Sequence, residues 1–479
     1  MMLRQKTISG LKWSFLDSFA NQGSQFIIGI ILARLLVPRD FGLIGMLTFF
    51  IAISQSFIDS GFSQALIRKQ DCRQVDFNTA FLFNLLVGII FYLVLFFSAE
   101  FIARFFGEPQ LFQLIRVLGL ILLINAFGLI QRTLLTKEIN FKLQTKISLI
   151  ASFISGAIGI GMAVNGFGVW SLAYKTIAQQ LVITLLFWLW NKWKPTLAFS
   201  FHAFKDLFRF GSKLLVSGIV DTTYRNIYYL IIGKYFSAAD LGYYAKADEF
   251  NKIPSENLSG IIGRVSYPTL SCIQDDPARL KSAYKKLIQT TVYITFILMI
   301  GLAATAKKII LVLIGERWLQ AVPYLQLLCF VGLMYPLHAL NLNMLMVKGR
   351  SDLFLRLEVI KKILAVPVIV IGILFGIKIM IVGMIINSLL AYYLNSYWSG
   401  KLIGYSVREQ IADIYSPFAL AVVMGILTWL VGTVIKSGPV VVLISQLSIG
   451  GIVILVISEI TKLKPYIELK SIVLESIRR

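Results

Sequence analysis

Among the ionisable side chains inside stretches otherwise apolar enough to cross a bilayer, the candidates for interior charges are Asp17, Asp59, Arg116, Lys175, Asp221, Arg225, Lys246, Asp248, Glu249, Lys252, Glu256, Glu358, Lys361 and Lys362. Each costs roughly 2.5–3.5 kcal/mol at a bilayer centre on insertion scales, so each is expected to face protein or water. Seven of them crowd into two neighbouring stretches, 204–235 and 239–270. Asp221 and Arg225 lie four residues apart with the acid N-terminal, the favourable order for a pair on one helical face. Two readings stand for them: a structural ion pair, or a clamp in which Arg225 exchanges Asp221 for a substrate phosphate. Lys246 with Glu249, and Asp248 with Lys252, have helical spacing too, and either a helix end emerging into water or a charged lining accounts for them. Lys361 and Lys362 could snorkel to the membrane surface. Arg116 and Lys175 have fewer acids nearby, which favours an anionic ligand over helix-end snorkelling.

Other chemistry is poorly provided for. The three cysteines, Cys72, Cys272 and Cys329, form no CxxC, and neither histidine, His202 or His338, stands at a metal-ligand spacing from them, so neither a zinc site nor a Cys–His nucleophile can be assembled. No carboxylate pair or nucleophile–base constellation is found, and no catalytic or metal-binding residue is assigned. The run Ser155-Gly156-Ala157-Ile158-Gly159-Ile160-Gly161 resembles a phosphate loop only superficially. It lies in an apolar span with no preceding strand, and reads as small-residue helix packing.

The elements that must position these side chains follow from composition. Apolar residues make up 57% of the 479, charged residues only 15%, and mean hydropathy is +0.78. A soluble domain carries about 25% charged residues, so lipid must be the solvent. Spans are expected near 10–35, 41–66, 77–103, 111–134, 143–165, 167–191, 204–235, 239–270, 284–306, 319–347, 353–377, 379–402, 412–436 and 439–461. The net charge of +22 would suggest nucleic acid in a soluble chain. Here the basic residues sit in short connections between apolar runs, as topology signals do. With the N-terminus inside and fourteen spans alternating, 30 Lys and Arg fall on the inner side and nine on the outer. A missed span would erase that bias, so both termini are expected to be cytoplasmic. Asp17, Asn21, Gln22 and Gln25 interrupt the first span, which argues against a cleavable signal peptide. Pro254, Pro323, Pro336 and Pro367, in or at the ends of spans, are expected to kink helices.

The chain also repeats. Ile27–Arg34 followed by Asp40-Phe41-Gly42 matches Ile227–Lys234 followed by Asp240-Leu241-Gly242 at a constant offset of 200. The expected fold is all-α and polytopic. It has two six-helix lobes, 1–200 and 201–405, related by a pseudo-twofold axis along the membrane normal with the substrate path between them. Two further helices and a cytoplasmic tail occupy 406–479.

Several segments resemble a known family. Phe57–Ile67 (FIDSGFSQALI), Asn78–Asn84 (NTAFLFN), Gly107-Glu108-Pro109 and Gly166–Leu172 (GFGVWSL) are similar to the polysaccharide-biosynthesis (PST/Wzx) branch of the MOP flippase superfamily. So are Phe210–Lys213, Arg225-Asn226, Leu230–Lys234, Asp240–Tyr244, Tyr267-Pro268 and Gln274–Pro277. The resemblance is greatest to the WzxC and teichuronic-acid-exporter type and covers all but the last two spans.

The resemblance implies a MATE/MOP-like fold. It also implies a flippase, not an enzyme, that moves an undecaprenyl-diphosphate-linked oligosaccharide across the bacterial inner membrane by alternating access. The product would be O-antigen, capsule or exopolysaccharide, with a polymerase and glycosyltransferases as potential partners. On that reading Arg225, Arg116, Lys175, Lys246 and Lys252 build a cationic, substrate-binding interior. Asp17, Asp59 and Asp221 are then candidate sites for coupling to a proton or sodium gradient, and no cofactor is expected. An ion-coupled multidrug antiporter of the same superfamily is the main alternative, disfavoured by a basic interior. A membrane glycosyltransferase would need a large outer loop with catalytic acids, and a channel would not need two lobes.

Overall fold

The computed structural model describes residues 20–478, and the side chains of all these except 257, 261, 264, 265, 472–474 and 476–478. Every regular element described is helical. The order is α1 (20–35), α2 (Pro38–Asp59), α3 (Phe62–Arg68), α4 (Gln74–Phe106), α5 (Leu111–Leu118), α6 (Leu120–Lys137), α7 (Phe141–Val164), α8 (Val169–Trp190) and α9 (Phe201–Tyr235). Then come α10 (Ala238–Ser271), α11 (Pro277–Leu313), α12 (Ala321–Gly332), α13 (Tyr335–Val347), α14 (Ser351–Phe375), α15 (Ile377–Ile403), α16 (Val407–Val434), α17 (Pro439–Thr461) and α18 (Lys464–Arg478). Each expected span is thus one helix or two consecutive ones, and α18 adds a helix where a tail was expected.

Ten spans are long and apolar enough to cross a bilayer outright. The other four are α1, whose expected start lies outside the described residues, and the charge-bearing helices α9, α10 and α14. Those three fall short because they carry the interior charges. Two compact units are formed, Met1–Gly242 and Tyr243–Arg479. In the first, α7 lies along α8, and α9 packs on α2, α3 and α4. In the second, α11 packs along α16 and α17, while α12, α13 and α14 pack on α15.

The repeated Asp-x-Gly motif has a structural cause. Asp40 Oδ2 accepts from the Val37 N–H (3.3 Å), and Asp240 Oδ2 accepts from the Ser237 N–H (3.3 Å) and hydroxyl (2.6 Å), so each acid caps the helix it opens. The glycines two residues on are contact points between the first turns of α2 and α10. A Cβ on Gly42 would stand 1.6 Å from the Ala238 carbonyl oxygen, and one on Gly242 would stand 1.9 Å from that of Pro38. Each glycine meets the counterpart of the other's neighbour, as a twofold relation between the two turns requires.

Three spans are broken, for local reasons. In the second, Ser60 (φ 47°) and Gly61 (φ 69°) adopt the left-handed conformation and end α2 before α3 begins. Gly61 fits there because it abuts Gly211 of α9: a Cβ on Gly61 would be 2.6 Å from the Gly211 carbonyl oxygen. The fourth span breaks at Gly119, and the tenth at Leu333-Met334, where Pro336 in the first turn of α13 removes a helical donor. Pro323 sits in the first turn of α12, whereas Pro254 and Pro367 lie inside the continuous helices α10 and α14.

Candidate functional site: interior charges and polar helix faces

On α9, helical spacing brings Asp221 and Arg225 together, with Nε donating to Oδ2 at 2.8 Å. Both side chains of the pair are exposed, that of Arg225 by 65%. One residue beyond Asp221, the Thr222 hydroxyl meets that of Ser56 on α2 at 3.1 Å, so the pair stands beside a polar α2–α9 contact. An exposed, lone i,i+4 pair is worth only about 0.3–0.5 kcal/mol, which leaves Arg225 able to change partners at small cost.

On α10 the expected pairs form with a different balance. Lys246 Nζ binds Glu249 Oε2 at 2.7 Å, and Lys252 Nζ binds Asp248 Oδ2 at 2.7 Å. In each, one member is buried, Lys246 at 4% and Asp248 at 7% exposure, and its partner reaches outward. Further along, Asn251 is wholly buried, and neither its amide nitrogen nor its oxygen finds a partner. It presses on Gly332 of α12, where a Cβ would lie 2.4 Å from Asn251 Oδ1. Helix α10 therefore turns a polar face into the second unit.

The remaining expected residues occupy separate neighbourhoods. The Arg116 guanidinium lies between the rings of Phe112 (4.0 Å to the ring centre) and Phe96 (4.2 Å), with a buried Nε that no acceptor reaches. Lys175 Nζ donates to Gln25 Oε1 at 2.7 Å, and the Gln25 amide in turn donates to Ser152 Oγ, joining α1, α7 and α8. The lysine stem lies over Gly159, where a Cβ would be 2.9 Å from Lys175 Cβ. Asp59 Oδ1 accepts from the Ser63 N–H (3.3 Å) across the break between α2 and α3, so it caps α3. Asp17 lies outside the described residues. Arg116, Lys175, Asp59, Asp221 and Arg225 belong to the first compact unit, Lys246 and Lys252 to the second.

Two features escaped the reading of the sequence. Asn78 and Thr79 are fully buried and hold the extended connection between α8 and α9: Asn78 Oδ1 accepts from Thr196 N (3.1 Å), and Thr79 Oγ1 from Ser200 N (3.1 Å). Gln131 and Gln74 donate to the carbonyls of Trp193 and Lys194 in the same segment. In the second unit, a polar seam joins α11, α13, α15 and α16. Tyr405 donates to Asp413, Tyr284 donates to Asn341 Oδ1 (3.0 Å) together with Ser399, and His338 lies between Ser388 and Asn395. The spacing of Asn387, Ser388, Asn395, Ser396 and Ser399 on one helix was the available signal. Outside the spans, hydrogen bonding to Arg350 pulls the Asp352 carboxyl down to about 2.

The match to a family of known proteins covers the larger part of the chain. The family described as polysaccharide biosynthesis protein matches residues 31–323. This chain belongs to that family. It is similar to the lipopolysaccharide biosynthesis protein WzxC of Escherichia coli (strain K12), at 29% identity over 448 residues, 91% of this chain and 90% of that one. Similarity extends to the teichuronic acid biosynthesis protein TuaB of Bacillus subtilis (strain 168), 26% identical over 356 residues, 73% of each. The fold is similar to that of a solved structure of the lipid II flippase MurJ, with TM-score 0.76 at 17% identity, covering 93% of this chain and 98% of that one. The chain is thus a multi-pass membrane protein of the polysaccharide biosynthesis protein family, with a fold similar to that of MurJ.

Proposed function

We propose that this protein translocates an undecaprenyl-diphosphate-linked oligosaccharide across the bacterial inner membrane by alternating access, with both termini in the cytoplasm, for assembly of O-antigen, capsule or exopolysaccharide. The observation that carries the reading is the pairing of family and fold. A chain related over nine-tenths of its length to a lipopolysaccharide biosynthesis protein has the fold of a flippase for a lipid-linked saccharide. Physical chemistry supports the cargo. A glycan with on the order of ten hydroxyls, at about 4–8 kcal/mol each into hydrocarbon, faces a barrier of tens of kcal/mol if unaided. A polar interior with fixed cations lowers that barrier by solvating sugar and diphosphate together.

The residues that would bear the charge are Arg225, Arg116, Lys175, Lys246 and Lys252. Arg225 is suited to meet phosphate because its present partner is a single exposed carboxylate. Coupling to a proton or sodium gradient, with Asp59, Asp221 and Asp17 as carriers, belongs to the same reading, as does hand-over of the product to a polymerase. Deletion of the gene tests it: a lipid-linked oligosaccharide is expected to accumulate on the cytoplasmic leaflet while surface polymer disappears. Unchanged lipid-linked glycan with new sensitivity to cationic drugs would contradict the reading and point to an antiporter.

A further inference from the structure

Where α4 ends and α5 begins, the first unit holds a cavity of about 630 Å³. Glu100, Ala103 and Arg104 of α4 line it, with Gly107 and Pro109 of the connection and Phe112 of α5. That volume lies within the range of small-molecule sites, about 300–1,000 Å³. Gly107 ends α4 in the left-handed conformation (φ 72°), and a Cβ there would meet nothing within 4 Å, so the turn leaves the space open. Glu108, between Gly107 and Pro109, is held by Arg39 at 2.6 Å, and the Arg116 guanidinium stacks on the Phe112 ring. The charged residues lining the cavity are one acid and one base, Glu100 and Arg104, paired with each other four residues apart. Both are exposed, and such a pair is weak enough to open for a ligand at little cost.

The helix that carries this pair is long. At 1.5 Å per residue the 33 residues of α4 reach about 50 Å, against roughly 30 Å of hydrocarbon in a bilayer. The charged turn Glu100–Arg104 follows its apolar run, and so stands at headgroup depth. Leading up to it, Leu86, Ile90, Leu93, Val94, Phe97 and Phe101 are exposed at spacings that share one helical face. Phe97 and Phe101, the last of this apolar ridge, are 77% and 72% exposed, and the ridge ends at Glu100 and Arg104.

We propose that the cavity binds a phospholipid whose headgroup carries both a phosphate and a primary ammonium, as phosphatidylethanolamine does. The headgroup opens the Glu100–Arg104 pair: its phosphate accepts from the Arg104 guanidinium, and its ammonium donates to the Glu100 carboxylate. The acyl chains lie along Phe97 and Phe101. A lipid that is only anionic leaves Glu100 beside a negative charge, and a trimethylated ammonium has no hydrogen to give the carboxylate. Lipid binding here requires neither the cargo nor the orientation proposed above.

Purified, delipidated full-length protein, titrated with single lipids and read by native mass spectrometry, tests this. Wild type is expected to hold one phosphatidylethanolamine roughly tenfold more tightly than phosphatidylglycerol or phosphatidylcholine, the worth of one hydrogen bond between charged groups. Arg104→Gln should weaken all three lipids at that site, whereas Glu100→Gln should erase only the preference for phosphatidylethanolamine. Both side chains are exposed, so neither change takes a contact from the core. Equal binding of phosphatidylethanolamine and phosphatidylglycerol by wild type would overturn the proposal. So would a preference that survives in the Glu100→Gln/Arg104→Gln double variant, which would mark a lipid held elsewhere on the surface.

Discussion

At the scale of single residues, the interior charges divide by how much their partners depend on them. Arg225 and Asp221 are both exposed, so either can be lost with little harm to the fold. Arg225→Ala is therefore expected to reach the membrane at normal level yet export polymer roughly tenfold to a hundredfold more slowly, the worth of one hydrogen bond to a charged group. Lys175→Ala should act in the same direction. Normal export by both variants, measured per molecule in the membrane, would remove these residues from the cargo path. Lys252 stands differently, because its removal takes the paired cation away from Asp248, which is only 7% exposed. Lys252→Ala should destabilise the protein by about 3 kcal/mol, the lower end for breaking a buried pair because Lys252 itself is partly exposed. Thermal unfolding in detergent checks this, and Asp248→Asn in the same chain should restore much of the loss. The pairs on α9 and α10 were legible in the sequence because partners three or four residues apart must meet on a helix. Lys175 with Gln25, 150 residues away, was not, since nothing local records which helices will touch.

At the scale of elements, hydropathy located the spans because a bilayer imposes both length and apolarity. It could not show the breaks at Ser60-Gly61 or before Pro336, since a change of backbone over two residues leaves average hydropathy unaltered. The repeat was visible as matching letters, and the structure supplies its cause: Asp40 and Asp240 cap, and Gly42 and Gly242 let two helix ends touch. Gly42→Ala should consequently cost at least about 1–3 kcal/mol, because its Cβ would overlap a backbone carbonyl that no rotamer can move. A lower melting midpoint with a poorer yield of monodisperse protein is the expected result, and wild-type stability would refute the contact. Asn78→Ala leaves the 191–200 connection short of a donor and an acceptor. Faster proteolytic cutting within that segment should follow, with the helices otherwise intact.

For the whole molecule, fold and family are carried by features spread over the entire chain, and so they survive the divergence that obscures any one residue. The cargo is recorded less openly, because a polar interior for a sugar diphosphate is built from common residues brought together by packing. If an ion gradient drives the cycle, collapsing both ion gradients and the membrane potential should stop export within one turnover of the lipid-linked pool. Unaltered export would eliminate coupling while leaving translocation itself in place. The most direct test of translocation uses the lipid-linked oligosaccharide that accumulates in the deletion strain, placed with the purified protein in sealed liposomes. The account predicts that glycan in the inner leaflet becomes accessible to an impermeant oxidant in the outer compartment only when the protein is present, and more slowly with Arg225→Ala. Equal accessibility in protein-free liposomes, or none with the wild-type protein under an imposed gradient, would contradict it.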